Sequence, residues 1–149
     1  MGTTGYCFLD REEIKPLVES IPGPTTDKFY EISKKYDCYI VIGFPEVDQE
    51  TNLYYNSAVL IGPKGIVGKH RKSHSYIAEP KWSAPGQEHL VYDTKIGKIA
   101  ILICMDIHFI ETARLVALQD ADIIIHISNW LSERTPGPYW ISRAFENSA

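Results

Sequence analysis

The chain has 149 residues, 44% of them hydrophobic and 23% charged, with a formal net charge of -4, an ordinary globular composition that fits one domain around a single core and excludes a disordered polymer. Its basic residues are scattered, so it has no electrostatic footprint for nucleic acid or for an anionic membrane surface, and its wholly apolar runs fall far short of the roughly 20 residues that span a bilayer. Cys7, Cys38 and Cys104 are too few and too dispersed for a disulfide framework and lack zinc-ligand spacing, which fits a reducing, cytoplasmic setting with small molecules or other protein chains as partners.

The opening Gly2-Thr3-Thr4-Gly5-Tyr6 reads as loop, because glycines and adjacent threonines favour turns. From Asp10 to about Ser20, Ile14, Leu17 and Val18 form a stripe suited to an amphipathic helix, which Ile21-Pro22-Gly23-Pro24 ends. Thr25 to Tyr36 predicts a second surface helix with Thr or Asp as its cap and Phe29, Ile32 and Tyr36 on one face. Cys38 to Phe44 is a continuous apolar, β-branched run that reads as a strand buried on both faces and closed by Pro45. Leu53 to Ile61 and Ile66 to Lys69 flank Gly62-Pro63-Lys64-Gly65 and predict a hairpin; His89 to Tyr92 and Lys98 to Cys104 predict another across residues 93–97. Helical spacing returns from about His108 to Leu118, Ile123 to Ile127 reads as a further buried strand, and the tail from Pro138 to Ala149 as a helix. Helices alternating with buried strands and hairpins imply an α/β layered fold with mixed strand directions.

Cys104 is the residue that points most directly to chemistry. It ends the apolar strand IAILIC and precedes Met105-Asp106-Ile107 at the entrance to a helix. A thiol at such a turn can be activated by the helix terminus and nearby cations, and the backbone N–H groups that follow can hold an oxyanion. Position alone leaves open the ordinary fate of a strand cysteine, a buried apolar side chain, and that is the reading for Cys38. Lys72, within Gly68-Lys69-His70-Arg71-Lys72-Ser73-His74, reads by itself as part of a solvated turn. Glu79 precedes a rigid Pro80-Lys81-Trp82-Ser83-Ala84-Pro85-Gly86 segment and by itself is either exposed or a site residue.

Taken together these segments resemble the nitrilase superfamily of carbon-nitrogen hydrolases along nearly the whole chain. The pieces that carry the resemblance are Asn56-Ser57-Ala58 leading through the hairpin to Arg71-Lys72, then Glu79 before Pro85-Gly86, then Cys104-Met105-Asp106 with Phe109 and Glu111, and finally Arg143-Ala144-Phe145-Glu146-Asn147. The resemblance implies a four-layer α-β-β-α sandwich. It makes Cys104 the nucleophile, Lys72 the oxyanion-stabilising lysine and Glu79 the supporting glutamate, with no metal or organic cofactor.

The family's base glutamate lies in a Pro-Glu motif just before the counterpart of Gly2 to Tyr6, so residues 1–149 are expected to form a partial domain without that first strand and without the last strands. Glu46 also follows a proline but matches a different motif. Met105-Asp106 stands where nitrile-cleaving members carry Trp-Glu, which favours an amide over a nitrile or N-carbamoyl substrate. Met105, His108, Trp82, Trp130 and Tyr139 are candidate pocket walls. Oligomerisation of like chains is expected through residues 108–118 and 138–146. Two other readings compete: a catalytically inactive remnant or subunit that acts through oligomerisation, and a papain-like enzyme pairing Cys104 with His126 or His108.

Overall fold

The structure is a computed structural model that describes residues 2–129 and 137–148. Its elements are α1 (Arg11–Ile14), α2 (Pro24–Tyr36), β1 (Ile40–Val47), β2 (Tyr54–Gly62), β3 (Gly65–Arg71), β4 (Val91–Thr94), β5 (Gly97–Ile103), α3 (Ile110–Ala117), β6 (Ile123–Ile127) and α4 (Pro138–Asn147). Strands β1-β2-β3 form an antiparallel sheet; β4-β5-β6 form a mixed one, antiparallel between β4 and β5 and parallel between β5 and β6. The β2-β3 and β4-β5 hairpins each close on a glycine at positive φ, Gly65 at 127° and Gly97 at 121°, backbone that other residues adopt only with strain.

Alternation along the strands stacks the sheets face to face. Ala58 and Leu60 of β2 pack against Ile99, Ile101 and Ile103 of β5 and form the inter-sheet core. The opposite face of the first sheet, with Phe44, Val59 and Ile61, is covered by Phe29 and Tyr30 of α2. The opposite face of the second, with Ala100 and Leu102, is covered by Ala113 and Val116 of α3 and by Tyr139 and Trp140 of α4. The layers therefore run α-β-β-α. Among the described residues no helix is long and apolar enough to cross a membrane.

Four local expectations change. The first helix is a single turn, capped by Asp10 and converted to a 3-10 turn at Lys15–Leu17, because Pro16 has no N–H for a continuing helix and its ring meets the carbonyl four residues back. Gly23 rather than Thr or Asp caps α2, and the hydroxyl of Thr26 both accepts from Gly23 N and donates to Gly23 O. The inner face of α2 is Thr26, Phe29, Tyr30 and Ser33, whereas Tyr36 is exposed; Thr26 and Ser33 tolerate burial because each hydroxyl finds a backbone carbonyl. Finally, β1 runs through Pro45 to Val47. Pro45 O accepts from Glu19 N and Val47 N donates to Glu19 O, so the backbone groups of Pro45 face the sheet edge and its missing N–H removes no bond to β2.

Candidate active site

Pleating sorts the polar residues of β2 and β3 onto two faces. Ser57, Lys69 and Arg71 share the outer face with Glu46, whose buried carboxylate accepts from all three: Ser57 Oγ at 2.5 Å, Lys69 Nζ at 2.5 Å and Arg71 Nε at 2.9 Å. Burial pushes this carboxyl up, but its bonds to Arg71, Lys69 and Ser57 outweigh burial and hold it below the usual range. Asn56, His70 and Lys72 alternate onto the inner face, toward the second sheet. Glu46 is thus a fully engaged structural carboxylate on the far side of the sheet from Cys104.

Lys72 follows β3 directly, and its backbone is held on both sides, its N–H by Asn56 O and its carbonyl by Gly86 N, each at 2.8 Å. A Cβ at position 86 would stand 2.0 Å from Arg71 O, so only glycine lets the Pro85-Gly86 loop lie against this segment. The Lys72 side chain is not in a solvated turn. It is 3% exposed, and its Nζ donates to Oε2 of Glu79, itself 2% exposed, at 2.5 Å. Glu79 heads a 3-10 turn, Glu79–Lys81, and its carboxylate also accepts from Asn56 Nδ2 at 2.6 Å and Tyr76 N at 2.5 Å. Three donors converge on one carboxylate, which offsets the desolvation that a buried ion pair suffers.

Cys104 sits just beyond β5 at φ +47°, a left-handed conformation that costs a non-glycine residue about 1 kcal/mol and is found where the surrounding structure fixes a functional turn. It heads a 3-10 turn, Cys104–His108, rather than an α-helix; α3 begins only at Ile110. The helix terminus expected to activate the thiol therefore lies six residues further on. Cys104 lines a cavity of about 270 Å³ together with Tyr6, Val41, Asn56, Ile103 and Ile127. Asn56 joins this cavity to the Lys72–Glu79 pair.

Tyr6 was not singled out by sequence, although it closes the Gly2 to Tyr6 motif. Its ring lies 5.8 Å from Lys72 Nζ, and its buried hydroxyl has no hydrogen bond of normal geometry among the described residues. Burial, reinforced by Glu79 and Cys104, pushes the phenol above its ordinary value, so it keeps its proton. Asp106, completely buried behind Cys104, is a second residue the sequence marked only as part of a motif. It accepts from Ile103 N, His70 Nε2, Ser73 N and His74 N.

Among the aromatic candidates, Trp82 packs with Phe8, Ile14 and Tyr54 in a separate core cluster, and Trp130 lies outside the described residues. Tyr139 hydrogen-bonds His108 Nε2 at 2.9 Å, and neither they nor Met105 line the Cys104 cavity. His126 Nε2 donates to the backbone carbonyl of Cys104 at 3.0 Å, and burial pushes its pKa down. That ring nitrogen braces the turn, unlike the base of a papain-like pair.

The family model for carbon-nitrogen hydrolase matches residues 1–149. The chain belongs to the carbon-nitrogen hydrolase family. It is 39% identical over 146 residues to a nitrilase of Pyrococcus abyssi, covering 97% of this chain and 55% of that protein, and 30% identical over 118 residues to an (R)-stereoselective amidase of Pseudomonas sp, covering 79% and 42%. Among solved structures, Nit3 of Saccharomyces cerevisiae, a member of branch 10 of the nitrilase superfamily, superposes with a TM-score of 0.77 at 28% identity over 89% of this chain and 51% of its own. This carbon-nitrogen hydrolase chain thus spans about half the length of the curated relatives it matches.

Proposed function

We propose that the protein hydrolyses a non-peptide carbon-nitrogen bond, an amide in preference to a nitrile or N-carbamoyl group, through a thioester on Cys104. The observation that carries this reading is the strained Cys104 turn on a cavity that Asn56 links to the buried Lys72–Glu79 pair. In the reaction the Cys104 sulfur bonds to the carbonyl carbon, and the Lys72 ammonium stabilises the charge that develops on the carbonyl oxygen. The carbon-nitrogen bond breaks, the nitrogen leaves with a proton as ammonia or an amine, and water then cleaves the thioester to the acid and restores the thiol. Glu79 supports Lys72 by fixing its Nζ, and Tyr6 and Asn56 supply hydrogen-bonding groups at the cavity wall. The shuttle of protons between thiol, nitrogen and water belongs to a base glutamate that, by the family resemblance, precedes Gly2.

Two features support an amide as substrate: Met105-Asp106 follows the nucleophile, and relatives include a protein named as an amidase. The free state of all three cysteines supports a reducing, cytoplasmic location. Ile110, Leu115 and Leu118 of the α3 region and Ile141 and Phe145 of α4 are exposed, which supports pairing of like chains through these helices; a clean monomer in sedimentation at micromolar concentration would count against it.

The test is competitive alkylation with iodoacetamide at neutral pH, read separately at Cys104 and Cys38. Cys104 is expected to react far faster than Cys38, and Lys72→Met to remove the difference. Equal, slow rates in the unmodified protein would overturn the nucleophile and favour an inactive subunit.

A further inference from the structure

We propose that Asp106 is the positioning residue that holds the Lys72 segment against the Cys104 turn, an inference that rests on the hydrolase reading above. A carboxylate whose only task was to cap the turn would need one bond, the one its Oδ2 accepts from Ile103 N at 3.0 Å. Asp106 makes five further bonds, and all of them leave its own element. Oδ2 also meets His70 Nε2 at 2.9 Å, while Oδ1 accepts from Ser73 N at 3.1 Å, Ser73 Oγ at 2.9 Å and His74 N at 2.9 Å and meets His74 Nδ1 at 3.3 Å. These partners bracket Lys72: His70 stands two residues before it, Ser73 and His74 immediately after. Ile103 immediately precedes Cys104. One buried side chain therefore fastens the residue before the nucleophile to the residues on both sides of the lysine.

The chemistry requires a carboxylate at this point. Every partner presents an N–H or O–H, so both oxygens must accept, and an asparagine would turn its NH₂ toward donors. The group stays ionised despite complete burial: desolvation pushes its pKa up, but the bonds from His70, Ile103 and His74 bring it down to about 2. The far end of the turn is tied as well, since Thr112 Oγ1 donates to Asp106 O at 2.5 Å. Lys72 and Cys104 come from different sheets and are 32 residues apart in sequence. Without Asp106, the direct hydrogen bonds of Lys72 lead to Asn56, Gly86 and Glu79, which lie on the Lys72 side of the site.

The experiment measures iodoacetamide alkylation of Cys104 and Cys38 in the 149-residue chain, unmodified and as Asp106→Asn, Ser73→Ala and Lys72→Met, with each Asp106 or Ser73 change repeated in the Lys72→Met background. Asp106→Asn is expected to slow Cys104 by about tenfold or more, since misplacement of a reacting group by about 1 Å costs on the order of 100-fold. Ser73→Ala, which removes one of the six bonds, is expected to slow it about two- to threefold. Cys38 should be unaffected in both, and neither change should slow Cys104 further once Lys72 is Met, because the effect passes through that lysine. If Asp106→Asn does not fold, the Ser73→Ala cycle carries the test. The proposal is overturned if Cys104 keeps its rate in both variants, if Cys104 and Cys38 accelerate together as in general loosening, or if the losses add to that of Lys72→Met. Should Cys104 react no faster than Cys38 in the unmodified protein, the nucleophile reading falls first and this proposal with it, a result seen before any variant is compared.

Discussion

Replacing Lys72 by methionine keeps most of the volume of the stem while removing the charge, and so isolates what the buried ammonium does. Both partners of the pair are almost wholly enclosed, Lys72 at 3% and Glu79 at 2% exposure, so the variant leaves a carboxylate in the interior without its counter-charge, accepting from Asn56 Nδ2 and Tyr76 N. Breaking one side of a buried pair costs about 3–5 kcal/mol, a large part of the roughly 5–15 kcal/mol that holds a domain folded. With a urea dependence of about 2 kcal/mol per molar, the unfolding midpoint should fall by roughly 1.5–2.5 M. Urea titration followed by circular dichroism measures this. The double variant Lys72→Met/Glu79→Gln, which leaves no lone charge, should recover most of the loss. A single-variant cost below about 1 kcal/mol, as for an exposed pair, or a double variant no more stable than the single, would refute the argument.

Position 104 should reverse the usual ranking of small residues: at φ +47°, Cys104→Gly is expected to be more stable than Cys104→Ala by about 1 kcal/mol in thermal unfolding. The carboxyl of Asp106 lies at about 2 in the folded chain against an ordinary 3.8, so its contribution is present above about pH 4 and lost as pH falls through about 2. It should amount to about 2 kcal/mol, measurable as an acid-dependent drop in the urea midpoint that Asp106→Asn lacks. Glu46→Gln should lower the midpoint while leaving Cys104 alkylation unchanged, because Glu46 serves the opposite face; a slowed Cys104 would contradict that placement. Residues 1–149 alone are expected to hydrolyse simple amides negligibly, since general acid-base help is worth roughly 10²- to 10⁴-fold. An N-terminal extension ending in Pro-Glu should restore turnover in a substrate assay, and robust Cys104-dependent turnover without it would overturn that assignment of the base.

Hydrophobic period and turn chemistry located most elements, because both are local. The run from Ile123 to Ile127, the Pro63-Lys64 and Lys95-Ile96 hairpins and the α2 segment all emerge where their patterns fall, although Ile123 to Ile127, expected as a buried strand, is exposed at Ile123 and half-buried beyond it. The errors arose where a distant group changed a local preference. Pro45 ends a strand in isolation but not when its backbone faces an edge joined by Glu19, and the inner face of α2 takes Thr26 and Ser33 in place of Ile32 and Tyr36 because nearby carbonyls accept their hydroxyls.

For the site, the sequence by itself determined which chemistry is available: a cysteine after an apolar strand, a lysine after a hairpin, a glutamate before Pro85-Gly86, in an order that marks the family. Side-chain identity and order along the chain carry that much. Only the tertiary structure decided which groups meet. Period-2 alternation turns Lys72 and Asn56 inward and Glu46, Ser57 and Arg71 outward, and the stacking of the two sheets then sets the inward face against the Cys104 turn. That is why Glu79 finds Lys72, why Glu46 does not approach Cys104, and why Asp106 reaches both sides of the site. Such contacts depend on which strands become neighbours across the core, a property of the packed sheets that no window of sequence contains.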